Sequence, residues 1–131
     1  MFNISTKSQY GLRAMTYMAK EKAISPLSRI SKAEGISFDY LEKIISKLEK
    51  AGLVKSKKGV RGGYFLSKSP SRIKIGEIMS ALEEDKHLVK CVGKGCSCPR
   101  EKGCSAKPLW ERLYKSLNKT LNSITLSDLI K

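Results

Sequence analysis

Between Ser37 and Ser67 the apolar period of the chain changes abruptly, and that change limits the available folds more than any other feature. Leu41, Ile44, Ile45 and Leu48 recur at i, i+3, i+4 and i+7, the stripe of an amphipathic helix. Ser37 stands where an N-cap belongs, and Gly52 stands where the helix stops. Directly afterwards Leu53-Val54-Lys55-Ser56-Lys57 reads as a strand, Lys58-Gly59-Val60-Arg61-Gly62-Gly63 as a turn, and Tyr64-Phe65-Leu66-Ser67 as a returning strand. A shorter helix precedes the stripe. Ser25-Pro26 supplies its cap and first-turn proline, Leu27 and Ile30 face inwards, and Gly35 is placed to end it in the left-handed conformation. Two helices joined across Ala33-Glu34-Gly35-Ile36 make a helix-turn-helix. With the basic-tipped hairpin behind it, the pattern is that of a winged helix.

The flanks support a mostly α chain with a small β-wing. Tyr10, Ala14, Tyr17 and Met18 share one face of a helix running from about Lys7 to Lys22, where the two tyrosines read as core residues. After the hairpin a helix capped near Ser71 carries Ile75, Ile78, Met79 and Leu82 on its inner face. Pro108 opens a long helix in which Trp110, Leu113, Tyr114, Leu117 and Leu121 share a face, more apolar surface than one small domain readily covers. Thr125-Leu126-Ser127-Asp128 is a capping box for a last turn. Between these helices, residues 86–107 hold all four cysteines, three glycines and Pro99 with little apolar periodicity. An irregular connection of that length in a compact domain is functional or disordered. The expected organisation is a winged helix-turn-helix unit over 1–85, a cysteine-rich sensor loop over 86–107, and a dimerisation helix with its C-terminal turn over 108–131.

Charge narrows the partner. The 131 residues carry a net charge of +14, of which residues 1–80 hold +10. Eight basic residues between 41 and 68 face only Glu42 and Glu49. Such an excess selects a polyanion, nucleic acid or an acidic membrane surface. No run of about 18 apolar residues is present, which excludes a transmembrane helix. The N-terminus has no apolar signal region, so a cytoplasmic location is expected, and reduced cysteines there serve metal or redox chemistry rather than disulfides. Catalysis is not expected: the single His87 lies four residues before Cys91, and no glycine-rich phosphate loop or carboxylate pair is present. No small-molecule substrate is therefore implied.

For DNA, the readers are Ser37, Asp39, Tyr40 and Lys43 at the start of the second helix of the pair, with Lys58, Arg61 and Gly62 at the hairpin tip. A helix of this kind fills a major groove, and an arginine on a thin tip suits a narrow minor groove. Helical lysines also form ordinary solvated faces, Gly62-Gly63 also serve turns, and some winged helices bind proteins. Helix pair, basic hairpin and localised charge in this order favour double-stranded DNA.

Tyr10-Gly11-Leu12-Arg13-Ala14, Ile36-Ser37-Phe38-Asp39-Tyr40-Leu41-Glu42 and Gly59-Val60-Arg61-Gly62-Gly63-Tyr64-Phe65-Leu66 resemble the corresponding motifs of bacterial IscR/NsrR/CymR-type regulators. The resemblance continues through Cys98-Pro99-Arg100, Cys104, Leu109-Trp110 and Ile124-Thr125-Leu126-Ser127-Asp128-Leu129, nearly the whole chain. It implies a homodimer built on the long C-terminal helix and binding a pseudo-palindromic operator.

Cys91, Cys96, Cys98 and Cys104 match neither a paired CxxC zinc ribbon nor a CxxCH haem site. Their irregular spacing suits a loop wrapped around an iron–sulfur cluster, 2Fe–2S or 4Fe–4S. The resemblance implies Cys91, Cys98 and Cys104 as ligands and leaves Cys96 extra. Relatives take a fourth ligand from a histidine three residues after the third cysteine, here Lys107, or from a first-helix carboxylate, here Gln9 with Ser8 before it. Cys96, Glu101 or an acidic residue from the partner subunit is left for that role, and His87 reads as a surface or core residue. A zinc-structured loop and a metal-free thiol switch are the alternatives.

Overall fold

A computed structural model describes residues 3–83, 89, 92 and 103–131. Helix α1 (Thr6–Glu21) begins where the Ser5 Oγ accepts the Ser8 N–H at 3.1 Å, and it ends at Lys22 in the left-handed region. Its inner face, Ala14, Met15, Met18 and Ala19, is buried against α3 and α4, while Tyr10 and Tyr17 pack at the edge of the core. Gly11 permits a close approach to α4, because a Cβ there would lie 2.2 Å from the Leu82 Cδ1.

Helix α2 (Leu27–Glu34) closes at Gly35 (φ 66), and the buried Ile36 follows it into the turn. Helix α3 (Phe38–Lys50) starts on Ser37, whose Oγ accepts the Tyr40 N–H at 3.3 Å. All four stripe residues, Leu41, Ile44, Ile45 and Leu48, are 0% exposed. Strands β1 (Val54–Lys57) and β2 (Gly63–Leu66) pair antiparallel in the register Val54 to Leu66 and Lys57 to Gly63.

Two helix starts differ from the sequence expectation. Ser25 does not cap α2, and the cap position falls on Pro26, whose carbonyl accepts the N–H groups of Arg29 and Ile30. The Ser25 backbone instead bonds the wing in both directions, donating to the Tyr64 carbonyl at 2.9 Å and accepting the Tyr64 N–H at 2.8 Å. Ser71 does not cap the helix after the wing either. It lies in a 3-10 turn (Pro70–Arg72), and α4 (Ile75–Leu82) starts after Lys74, whose N–H donates to the Glu77 carboxylate at 3.0 Å. The delay arises because Ile73 and Lys74 are extended against the chain's end: Ile75 N–H donates to the Ile124 carbonyl and Leu126 N–H to the Ile73 carbonyl.

Helix α5 (Lys107–Ser123) crosses α4 at Gly76, where a Cβ would lie 2.1 Å from the Asn122 Oδ1. Helix α6 (Leu126–Leu129) is one capped turn, with the Asp128 carboxylate accepting the Thr125 N–H at 2.9 Å; this bond, with the Thr125 hydroxyl and Lys131, holds the Asp128 carboxyl below its usual range. Leu126 is buried in the same core as α1, α3 and α4.

Candidate nucleic-acid interface

The apolar stripe decides which side of α3 is left outward. With its stripe sealed inside, the opposite positions Asp39, Glu42, Lys43, Ser46, Glu49 and Lys50 are exposed. Ser37 is exposed at the helix's positive end, although its Oγ is engaged with the Tyr40 N–H. Asp39 lies in the first turn, where its charge complements the helix dipole and can accept from a cytosine amino group. Tyr40 is half-buried: its ring meets Tyr10 edge-on at 5.8 Å, and the Arg13 guanidinium stacks 5.5 Å from the Tyr10 ring. Arg13 in turn reaches the Glu34 carbonyl. Tyr40 thus fastens the start of α3 to α1.

The wing is held at its root and open at its tip. Gly63 makes the root possible, because a Cβ there would fall 2.4 Å from the Ser25 carbonyl oxygen and 2.7 Å from the Pro26 nitrogen. Tyr64 packs against the core, and burial, with Glu49 and Glu42 of α3 adding to it, raises its hydroxyl pKa. At the tip, Lys58 and Arg61 are exposed and Val60 is completely so, at 106%. Gly62 has a steric reason of its own: a Cβ would lie 2.1 Å from the Lys57 carbonyl oxygen. The outer face of α3 and the wing tip therefore present Lys43, Lys58 and Arg61 to solvent.

One residue on this surface was not singled out from sequence. Phe38, at the first turn of α3, is 46% exposed although it continues the phase of the buried stripe. At the first turn of the helix the ring stays about half outside, where it suits contact with a thymine methyl.

Residues 4–131 match the model of a family described as Rrf2, iron-dependent transcriptional regulator. The chain belongs to the Rrf2 family. It is 40% identical over 129 residues, 97% of its length and 78% of the relative's, to the HTH-type transcriptional regulator IscR of Klebsiella pneumoniae (strain 342). Among solved structures it is similar to CymR, the global cysteine regulator of B. subtilis, with a TM-score of 0.83 and 35% identity over 99% of this chain and 97% of that one. T. potens IscR gives a TM-score of 0.79 and 37% identity over 98% and 86%. Like these Rrf2 relatives, the chain is a winged-helix transcriptional regulator and not an enzyme.

The cysteine-bearing segment of this Rrf2 chain is described only at its edges. Cys91, Cys96, Cys98, His87 and Glu101 lie outside the described residues. Cys104 is a free thiol, half-buried, and its carbonyl accepts the Lys107 N–H at 3.4 Å, so it leads directly into α5. It is the one cysteine among the described residues, and its thiol is a soft donor of the kind that suits iron. Lys107 faces Glu111 at 3.8 Å, and the Gln9 side-chain amide donates to the Ile4 carbonyl at 2.9 Å, so neither stands ready as a ligand. Ser8 is buried and bonds Glu83 instead. That carboxylate also accepts the Ser5 N–H at 3.1 Å and its hydroxyl at 3.0 Å. Burial pushes the Glu83 pKa up, but the bonds from Ser8 and Ser5, with Lys7 nearby, outweigh it and leave the group below its usual value. The residue that opens the connection to the cysteines is thereby tied to the start of α1. No helix among the described residues is long and apolar enough to cross a membrane.

Proposed function

We propose that the chain works in the cytoplasm as a homodimer that grips a pseudo-palindromic operator with two α3 helices and two wings, and that an iron–sulfur cluster on Cys91, Cys98 and Cys104 sets its operator affinity. The observation that carries this reading is α5, whose 17 residues include none that is buried. Leu109 and Leu117 are 57% and 41% exposed, and Trp110, Leu113 and Tyr114 are only half-covered. A second copy of the same stripe is the simplest cover, since a two-fold interface brings one apolar patch onto itself. The two-fold axis then relates the recognition helices, and the operator inherits that symmetry. Ser37, Asp39 and Lys43 face the major groove in this reading, Tyr40 and Gly62 shape the elements that carry them, and Lys58 and Arg61 meet phosphates and the minor groove.

Glu83 and Cys104 support a cluster as the lever on that geometry. The connection runs from α4, anchored to α1 through Glu83, to the Cys104 carbonyl that starts α5. When bound, a cluster supplies a set of bonds that depends on iron supply and oxidation. Ligation through Cys104 and the two earlier cysteines sets how α5 sits against the winged unit, and so the spacing of the two α3 helices.

The test is anaerobic purification with iron, sulfide and zinc assays, sedimentation, and operator titration of loaded and iron-free protein at fixed salt. A dimer holding iron and sulfide in near-equal amounts, with different operator affinity once stripped, is expected. If each protomer neutralises about four phosphates, log affinity falls with log salt with a slope near about −7. Equal affinity of the two forms overturns cluster control, and a monomer overturns the two-fold reading. The half-buried free thiol of Cys104 favours a second reading, a metal-free thiol-redox regulator, which predicts colourless protein and disulfides on mild oxidation.

A further inference from the structure

A groove of about 600 Å³ lies beside the root of the wing, between the C-terminal end of α1, both wing strands and the last residues of the chain. Its walls are chiefly apolar, with Met18, Ala19, Ile24, Phe65, Leu66 and Ile130 among them. Lys22, Lys57 and Lys68 also line it, and no aspartate or glutamate among the described residues does. Glu77 answers Lys68 at 3.3 Å, whereas no carboxylate pairs with Lys22 or Lys57 among the described residues. Small organic ligands occupy hollows of this size and character, and cations on the lining select an anion.

A second, independent observation falls on the same wall. Lys22 is the single non-glycine residue with positive φ among the described residues, at 56°. Left-handed backbone disfavours any L side chain relative to glycine, and α2 in this chain ends in the same conformation with Gly35. A lysine held there against its conformational preference, and lining a groove, marks a position where the side chain matters.

We propose that this groove binds an organic anion with an apolar body, an acyl or aryl carboxylate, whose charge is met by Lys22 and Lys57. The assignment rests on the groove and its lysines, and stands or falls separately from the cluster and operator readings. Because Ser56-Lys57 and Phe65-Leu66 form one wall and α1 another, the occupied groove ties the wing to α1.

Decanoate is the probe, titrated calorimetrically into the full chain beside the neutral 1-decanol. Saturable binding of one decanoate per chain is expected, with decanol weaker by at least about tenfold, since it forgoes the charge-assisted contacts to both lysines. Lys22→Gln and Lys57→Gln should each weaken decanoate and leave decanol unchanged. Lys22→Gly separates folding from binding: glycine relieves the left-handed backbone, so Tm should rise while decanoate affinity falls. Absence of saturable binding, equal affinity for decanoate and decanol, or decanoate affinity unchanged in the lysine variants overturns the proposal.

Discussion

Gly63→Ala tests whether the wing reads DNA because it is anchored. A Cβ at this position would run into the Ser25–Pro26 peptide group, with the Ser25 oxygen at 2.4 Å, the Ser25 carbonyl carbon at 2.5 Å and the Pro26 nitrogen at 2.7 Å. No rotamer relieves such a contact, so β2 must withdraw from Ser25. The withdrawal breaks the two backbone bonds at 2.8 and 2.9 Å. At about 0.5–1.5 kcal/mol net for each bond, the loss is about 1–3 kcal/mol. With an m-value of about 2 kcal/mol/M, the urea midpoint falls by about 0.5–1.5 M. Gly35→Ala is the control. It too has positive φ, but no atom lies within 4 Å of the would-be Cβ, so its cost of about 1 kcal/mol is conformational and leaves the wing in place. Operator titration across salt then separates the two. In Gly63→Ala the freed wing no longer holds Arg61 on its phosphate, and the salt slope flattens by about one per protomer. In Gly35→Ala the slope stays. An unchanged urea midpoint in Gly63→Ala refutes the anchoring, and a lowered midpoint with an unchanged slope refutes its role in DNA reading.

Arg61→Ala should flatten the salt slope in the same way while leaving the urea midpoint at the wild-type value. Leu117→Glu should sediment as a monomer with wild-type far-UV circular dichroism, because no α5 side chain is buried within one chain; a variant that stays dimeric contradicts the α5 interface. Glu83 ties stability to acid: its folded pKa lies below the ordinary 4.5, so its contribution is present above that value and is lost as pH falls through the lower folded value. Glu83→Gln should therefore unfold more easily at pH 7 and show a shallower loss of stability in that acid window, followed by thermal melts across pH. Cys98→Ala should lose iron and keep a cooperative unfolding transition, since the stripes of α1, α3 and α4 are sealed without it. Collapse of that variant shows that the cysteine segment is structural.

What could be read directly from the residues was local. The α3 stripe, the Ser37 cap, the left-handed Gly35 and the Thr125 to Asp128 box each depend on neighbours within about one turn, and each forms as the spacing predicts. The wing followed from the change of period together with its turn glycines. Starts that failed, at Ser25 and Ser71, did so where a distant strand claims the backbone: Tyr64 bonds Ser25, and Ile124 and Leu126 bond Ile75 and Ile73. Such pairings carry no short-range signal, because either partner would accept any extended neighbour.

The site divides along the same line. Sequence alone determined which side of α3 must face outward, since four apolar residues at helical spacing leave the opposite side to Asp39 and Lys43. It also placed Lys58 and Arg61 at a turn, where they are bound to be exposed. Tertiary packing decided that Tyr40 leans on Tyr10, that Phe38 stands free of the core, and that Gly63 exists for the approach of Ser25. It also tied Glu83 to the start of α1 and left α5 with no fully buried side chain in a single chain. Periodicity states which side of an element is apolar; only the folded chain states what, if anything, is there to cover it.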